Sequence, residues 1–100
     1  MISRTNENFW KSYDLLPVDV KKKAKRVFKL FQIESSHPSL HFKQIHSKQQ
    51  IFSIRISRSY RALGVVQKDE IIWFWIGSHS DYDNMINFNP QEIIMLSISY

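Results

Sequence analysis

The spacing of apolar residues changes once along this chain, at Pro38, from the period of a helix to the period of a strand. Upstream of Pro38, apolar residues return at helical intervals; downstream, they alternate with polar residues in short segments. Short polar turns separate those segments, and turns of this kind join antiparallel neighbours. The pattern therefore predicts an α+β fold, with two N-terminal helices packed on one face of a twisted antiparallel β-sheet of about four strands.

Two helices are predicted before the change of period. Residues 7–16 place apolar side chains on one helical face, and Pro17 ends that helix because it lacks an amide hydrogen. Residues 18–33 form the second helix, with an apolar stripe on one side and lysines and arginines on the other. The basic side is either a solvated surface or a phosphate-binding surface, and periodicity does not separate the two.

Four strands are predicted over residues 40–46, 51–57, 60–67 and 71–76. The last of these is apolar on both faces, which is typical of a central strand. Arg55 is expected on the face opposite the helices, toward solvent. The predicted core consists of Phe52, Ile54, Ile56, Leu63, Val65, Phe74 and Ile76 from the strands and Val27, Phe28 and Phe31 from the second helix.

The C-terminal part is predicted less uniformly. Residues 79–86 favour a short helix, with Ser78 or Ser80 as its N-cap. Residues 90–100 contain enough β-branched and apolar side chains to form a last strand or to pack on the body as a short helix.

Length and composition restrict the class of protein. With 100 residues, the chain has room for a single domain over residues 1–100. The absence of cysteine excludes disulfides, and no apolar run is long enough for a membrane span, so a cytoplasmic location without membrane association is expected. A net charge of +5 is compatible with nucleic acid, an acidic protein or another anionic surface as partner. Four scattered histidines give no evident ligand set, so neither a metal nor a cofactor is expected.

Four segments of the sequence, taken in order, resemble segments of the RelE/ParE superfamily of toxins from bacterial toxin–antitoxin pairs. LLPVDVKKKAKRVFKLF is similar to the family's entry into its second helix, and PSLHFKQI to the segment that leads into its sheet. SIRISRSYRALG resembles the paired strands that carry arginines, and WFWIGSHSDYD the final strand with its Gly-x-His ending. The resemblance covers residues 9–86, and the tail 87–100 lies outside it.

The resemblance implies a toxin held silent by a cognate antitoxin. RelE-like, YoeB-like and YafQ-like members are endoribonucleases (mRNA interferases) that cut mRNA on the ribosome and so inhibit translation, whereas ParE-like members inhibit DNA gyrase. The presence of both a strand arginine and a histidine favours the ribonuclease. A toxin that has lost its activity and is kept as a partner-binding module is a third interpretation. Because one fold serves several activities, the site has to decide among them.

Metal-free RNA cleavage uses the 2′-OH as nucleophile, and it needs a proton donor for the departing 5′ oxygen and cations at the phosphate. The resemblance places Arg61 at the phosphate and His79 as the leaving-group acid, since an imidazole exchanges protons at neutral pH. Arg61 is otherwise a surface arginine paired with a carboxylate, and His79 a cap for the following turn. Tyr82, the third catalytic candidate, either stacks on a base or fills the core.

Further basic residues are candidates for binding the flanking phosphates. Lys43 and Arg55 lie on the polar faces of predicted strands, and Arg58 lies in the turn between two of them. His41 and His46, on the segment leading into the sheet, are the candidates for the general base, although His46 is also interpreted as an exposed turn histidine.

Overall fold

A short strand and two helices come before a block of strands in this chain, and further helices follow that block. The structure is a computed structural model that describes residues 1–46 and 48–98. Its elements are β1 (Ile2–Thr5), α1 (Glu7–Tyr13), α2 (Val18–Ile33), β2 (Lys43–His46), β3 (Ile51–Ser57), β4 (Tyr60–Gln67), β5 (Glu70–Ser78), α3 (His79–Phe88) and α4 (Pro90–Ser97). The predicted α+β class is confirmed.

The two N-terminal helices arise where the sequence predicts them. The Asn6 side chain begins α1 by accepting a hydrogen bond from the Phe9 amide at 3.0 Å. Helix α1 ends three residues before the expected boundary, because the amides of Leu15 and Leu16 bond to carbonyls three positions back and form a tight turn. Pro17 then precedes α2, whose bounds match the prediction.

The strands form one sheet in the order β1-β5-β4-β3-β2. The pairs β2–β3, β3–β4 and β4–β5 are antiparallel, as predicted, whereas β1 pairs with β5 in parallel. Strand β1 was not predicted because most of its few residues are exposed, so it carries no apolar alternation. Strand β2 is shorter than the predicted 40–46 because Pro38–Leu40 form a 3₁₀ turn.

The two N-terminal helices pack on one face of the sheet, as predicted, and the two C-terminal helices cover the other face. On one face, α1 and α2 pack on Ile54, Ile56 and Trp73; on the other, α3 and α4 pack on Leu63 and Phe74. Of the ten predicted core residues, Phe52, Val27 and Phe28 are half-buried and the others are buried. Arg55 lies opposite α1 and α2, as predicted, but α3 and α4 share its face and it is half-buried rather than open to solvent.

The largest buried side chain, Trp73, is at the centre of the first face. Its ring contacts Phe28 and Phe31 edge-on, with centroids 5.2 Å apart in each pair, and its indole N–H donates to Ser3 Oγ at 2.8 Å. Gly64 lies beneath the indole on β4, where a Cβ would stand 2.8 Å from the Trp73 ring. A glycine at position 64 therefore lets the ring approach the sheet.

The C-terminal segments are helical. Ser78 caps α3, as predicted, because its hydroxyl accepts from the Asp81 amide at 3.1 Å. The tail forms α4, the helical one of its two predicted alternatives, and the side-chain amides of Asn6 and Asn8 both donate to the Leu96 carbonyl at 3.1 Å. Ser99 and Tyr100, which belong to the predicted tail, lie outside the described residues. Within 1–46 and 48–98, no helix combines the length and apolar character that a bilayer span requires.

Candidate active site

The antiparallel pairing of β3, β4 and β5 gathers most of the predicted site residues at one end of the sheet. Arg61 on β4 lies between Arg55 on β3 and Gly77 on β5, and Ser78 lies opposite Tyr60. Because α3 starts directly after β5, His79 follows at the same end. Two residues that are 18 positions apart, Arg61 and His79, are thereby brought to neighbouring strand ends.

The Arg61 side chain is held by the β3–β4 hairpin. Its Nη1 donates to the Ser57 carbonyl at 2.6 Å and to the Tyr60 carbonyl at 3.0 Å. These two bonds use one nitrogen of the guanidinium, and among the described residues no carboxylate forms an ion pair with Arg61. The interpretation of Arg61 as a surface arginine paired with a carboxylate is therefore wrong.

The surroundings of Arg61 disfavour the charged form of its guanidinium group. Burial, and next the adjacent Arg55 guanidinium, lower the pKa of Arg61 below its usual value, while Tyr82 and Asp83 act in the opposite direction. The two guanidinium groups therefore repel one another across the two strands. An anion bound between them would relieve that repulsion, which is what a phosphate site provides.

His79 is fixed at the first position of α3. Its amide donates to the Ser59 carbonyl at 2.7 Å, and its Nε2 lies 3.2 Å from Asp83 Oδ2, one helical turn along. Its side chain is 45% exposed, whereas its Nδ1 is buried and has no hydrogen-bond partner among the described residues. The helix cap is Ser78, so capping is not the role of the imidazole.

Asp83 is a site residue that the sequence analysis missed. Its Oδ2 lies 3.2 Å from His79 Nε2, so the carboxylate orients the imidazole ring. The signal was present as a His/Asp pair four positions apart within a segment already predicted to be helical.

Tyr82 lies beneath the site rather than in it. Its ring is 6% exposed, its hydroxyl is 3.4 Å from Ser53 Oγ, and its centroid is 5.7 Å from that of His79. A stacked RNA base needs an exposed ring face, and the Tyr82 ring is buried in the core instead. Stacking of a base on Tyr82 is therefore wrong, and the alternative of a core residue that supports His79 fits the geometry.

The remaining basic candidates surround this centre at different distances. Arg58 is exposed in the β3–β4 turn and lines a pocket of about 340 Å³ together with His79. Lys43 is exposed on β2 opposite Ser53, two positions along β3 from Arg55.

The two histidines considered as general bases lie elsewhere. His46 pairs with Ile51, four residues along β3 from Arg55, which corresponds to roughly 13 Å. Its Nδ1 accepts from the Gln49 amide at 3.2 Å, so the turn interpretation holds and His46 as the base is wrong. His41 lies instead beside Arg55 and Arg58, in a groove at the edge of β3. Within the described part of the chain, no group of three or more His, Cys, Asp or Glu residues is placed to hold a metal.

Comparisons with known proteins agree with this architecture. A sequence model of the ParE-like toxin domain matches residues 18–84. The solved structure of a RelB–RelE antitoxin–toxin complex from Methanococcus jannaschii contains a chain that is 24% identical, with a TM-score of 0.66 over 80% of this chain and 95% of that one. A YoeB/ParE toxin from Agrobacterium tumefaciens is 12% identical, with a TM-score of 0.63 over 79% of this chain and 99% of the other.

A further solved structure is similar to the same extent. A conserved hypothetical protein from Helicobacter pylori is 20% identical, with a TM-score of 0.59 over 80% of this chain and 96% of its own. At these identities the likeness concerns the fold. A search of the curated proteins finds no sequence match.

Proposed function

This chain belongs to the ParE-like toxin domain family, within the RelE/ParE superfamily of toxins from toxin–antitoxin systems, and on that premise we propose that it is a ribosome-dependent mRNA endoribonuclease. The observation that carries the proposal is the pairing of two adjacent arginines with an imidazole–carboxylate dyad at one end of the sheet; neither arginine forms an ion pair among the described residues. A phosphate and a departing alkoxide are the two groups that such an arrangement serves.

The proposed reaction needs no metal. The 2′ oxygen of the RNA loses its proton to a water molecule as it attacks the adjacent phosphorus, the bond from phosphorus to the 5′ oxygen breaks, and a 2′,3′-cyclic phosphate remains on the upstream fragment. Arg61 binds the non-bridging phosphate oxygens with the guanidinium donors that the hairpin leaves unused. His79, whose ring Asp83 orients, gives its proton to the 5′ oxygen.

The repulsion between Arg55 and Arg61 supports this role for the pair. In the free protein it raises the energy of the site, and it is relieved as negative charge accumulates on the phosphorane. Arg55 is therefore proposed to bind the substrate beside Arg61, and Arg58, in the pocket of His79, to bind the leaving-group side.

The experiment that tests the proposal uses His79→Gln, which removes the exchangeable proton and keeps a side chain of similar polarity. Loss of a general acid is expected to slow cleavage of ribosome-bound mRNA by ~10²–10⁴-fold. Asp83→Asn should slow it less, because it weakens the contact that orients the imidazole and leaves the acid in place. The measurement is the rate at which new RNA ends appear, mapped by primer extension in a reconstituted translation system.

The matched control is His46→Gln, a histidine at the other end of β3 that we expect to leave cleavage unchanged. Equal losses in the two variants, or none in either, would contradict the assignment of His79.

A second candidate function is inhibition of DNA gyrase without catalysis, because the matching family is described as ParE-like. Induction in cells separates the two candidates. Cut mRNA with normal DNA supercoiling supports the ribonuclease, whereas intact mRNA with inhibited supercoiling supports gyrase as the target.

The proposed partner is a cognate acidic antitoxin. The net charge of +5 favours an acidic partner, and the similar chain from Methanococcus jannaschii was solved in complex with its antitoxin. Co-expression with the product of the adjacent gene should restore growth and yield a complex, and toxicity that no neighbouring gene relieves would contradict this partner.

A further inference from the structure

We propose that a basic groove at the open edge of β3 is a second phosphate site, which holds the RNA backbone next to the scissile phosphate. The inference rests on the proposed function for its substrate and extends the site to residues of α2 and of the segment before β2. The groove is named here by its four basic residues, Lys23, His41, Arg55 and Arg58.

The groove exists because β2 is short. Strand β2 pairs with β3 only as far as Ser53, so the last residues of β3 have no strand beside them on that edge. Helix α2 borders the gap on one side and the Pro38–Leu40 turn on the other. The resulting cavity has a volume of about 580 Å³ and is also lined by the hydroxyls of Ser39 and Ser57.

The ionisable side chains that line the groove are all basic. Three of its lining side chains are lysine or arginine, a fourth is histidine, and neither an aspartate nor a glutamate lines it. Among the described residues, none of these four forms an ion pair. Unneutralised cations that converge on a surface cavity bind anions, and hydroxyl groups beside them suit phosphate oxygens.

The groove is continuous with the candidate active site, which favours a polyanion over a small anion. Arg58 lines both the groove and the pocket of His79, and the charge of Arg55 acts on Arg61. The positive path therefore runs from Lys23 through the β3–β4 hairpin to His79. A nucleic-acid strand presents phosphates at successive nucleotides along such a path, whereas a single phosphate ion occupies one point of it.

His41 adds a backbone observation to the charge. It has a left-handed conformation, with φ 46° and ψ 44°, which is unfavourable for a non-glycine residue and is sustained here between the 3₁₀ turn and β2. Strained residues of this kind are concentrated at binding sites. The backbone conformation at the end of the 3₁₀ turn therefore holds His41 in the lining of the groove.

The test compares two lysines on the same helix. Lys23→Gln removes a charge from the groove, and Lys22→Gln removes the same charge from an exposed position outside its lining. The probe is a short 2′-O-methyl RNA oligonucleotide, which cannot be cut because its 2′ oxygens are blocked, and binding is followed by fluorescence anisotropy over a range of salt concentrations.

The expected result is a several-fold loss of affinity in Lys23→Gln, and a slope of log K against log salt that becomes shallower by about 0.7, the value for one phosphate contact on a single strand. Lys22→Gln should keep the slope of the unmodified protein. Equal slopes in the two variants overturn the groove as a phosphate site, and so does complete competition by millimolar inorganic phosphate, which would indicate a small-anion site.

Failure of this inference and failure of the proposed function give different results. If the unmodified toxin cuts mRNA and the two lysine variants bind RNA equally, the groove proposal is wrong and the ribonuclease stands. If Lys23→Gln alone changes the slope but the unmodified toxin leaves mRNA intact, the groove is a nucleic-acid site and the ribonuclease is wrong.

Discussion

Arg61→Ala is expected to remove most of the toxicity while the protein stays folded and still binds its antitoxin. The guanidinium is the group that we propose binds the phosphate, and loss of one such donor from an anion site lowers the rate by ~10²–10³-fold. Arg61→Lys should restore little, because a lysine cannot bind two phosphate oxygens side by side. Growth after induction and the rate of mRNA cleavage measure the effect.

The matched control for this substitution is Arg4→Ala. Arg4 is an exposed arginine on β1 that pairs with Glu70, away from the strand ends that carry the site. Removing it changes the net charge equally and should leave toxicity intact. Because Arg61 also bonds to the Ser57 and Tyr60 carbonyls, circular dichroism and co-purification with the antitoxin show that the hairpin is preserved. Undiminished cleavage by a folded Arg61→Ala protein would contradict the site.

Trp73→Ala is expected to have the largest effect on stability, about 3–5 kcal/mol, as for other buried aromatic side chains. The side chain is 1% exposed, and its loss leaves a cavity between α2 and the sheet and an unpaired hydroxyl on Ser3. Since small domains are stable by about 5–15 kcal/mol, this substitution removes much of the total. Urea unfolding measures the loss in the free energy of unfolding. Both proteins are compared in the Arg61→Ala background, which avoids toxicity during expression.

A second tryptophan provides the comparison. Trp10 is 48% exposed on α1, although it also contacts aromatic rings and donates a hydrogen bond to Thr5. Trp10→Ala should lower the free energy of unfolding much less. Similar losses in the two variants would show that the core is not centred on Trp73.

Much of the fold could be predicted because the strands after Pro38 alternate clearly and their turns are short. The shared face of Arg55 and Arg61 comes from their pairing in the hairpin of residues 51–67, which the alternation within each strand does not predict by itself. Strand β1 could not be predicted in this way, because its pairing with β5 comes from backbone hydrogen bonds and leaves no apolar pattern.

The site could be predicted only in part, because the role of each residue depends on its neighbours in space, which the sequence does not show. For Tyr82 the sequence leaves two alternatives, stacking on a base or filling the core, and α3 decides between them by turning the ring toward Ser53 in the core. Asp83 acquires its proposed role from its distance to His79. The groove at β3 could not be foreseen at all, because it depends on where β2 stops pairing.

The central claim is that this toxin cuts RNA through the 2′-OH without a metal, and a modified mRNA tests it most directly. The cut position is first mapped on a ribosome-bound message, and a second message then carries a single 2′-deoxynucleotide immediately upstream of that bond. We predict cleavage of the unmodified message with a 2′,3′-cyclic phosphate on the upstream fragment, and no cleavage of the modified one. Cleavage of both messages, or fragments with a 3′-hydroxyl and a 5′-phosphate, would contradict the mechanism.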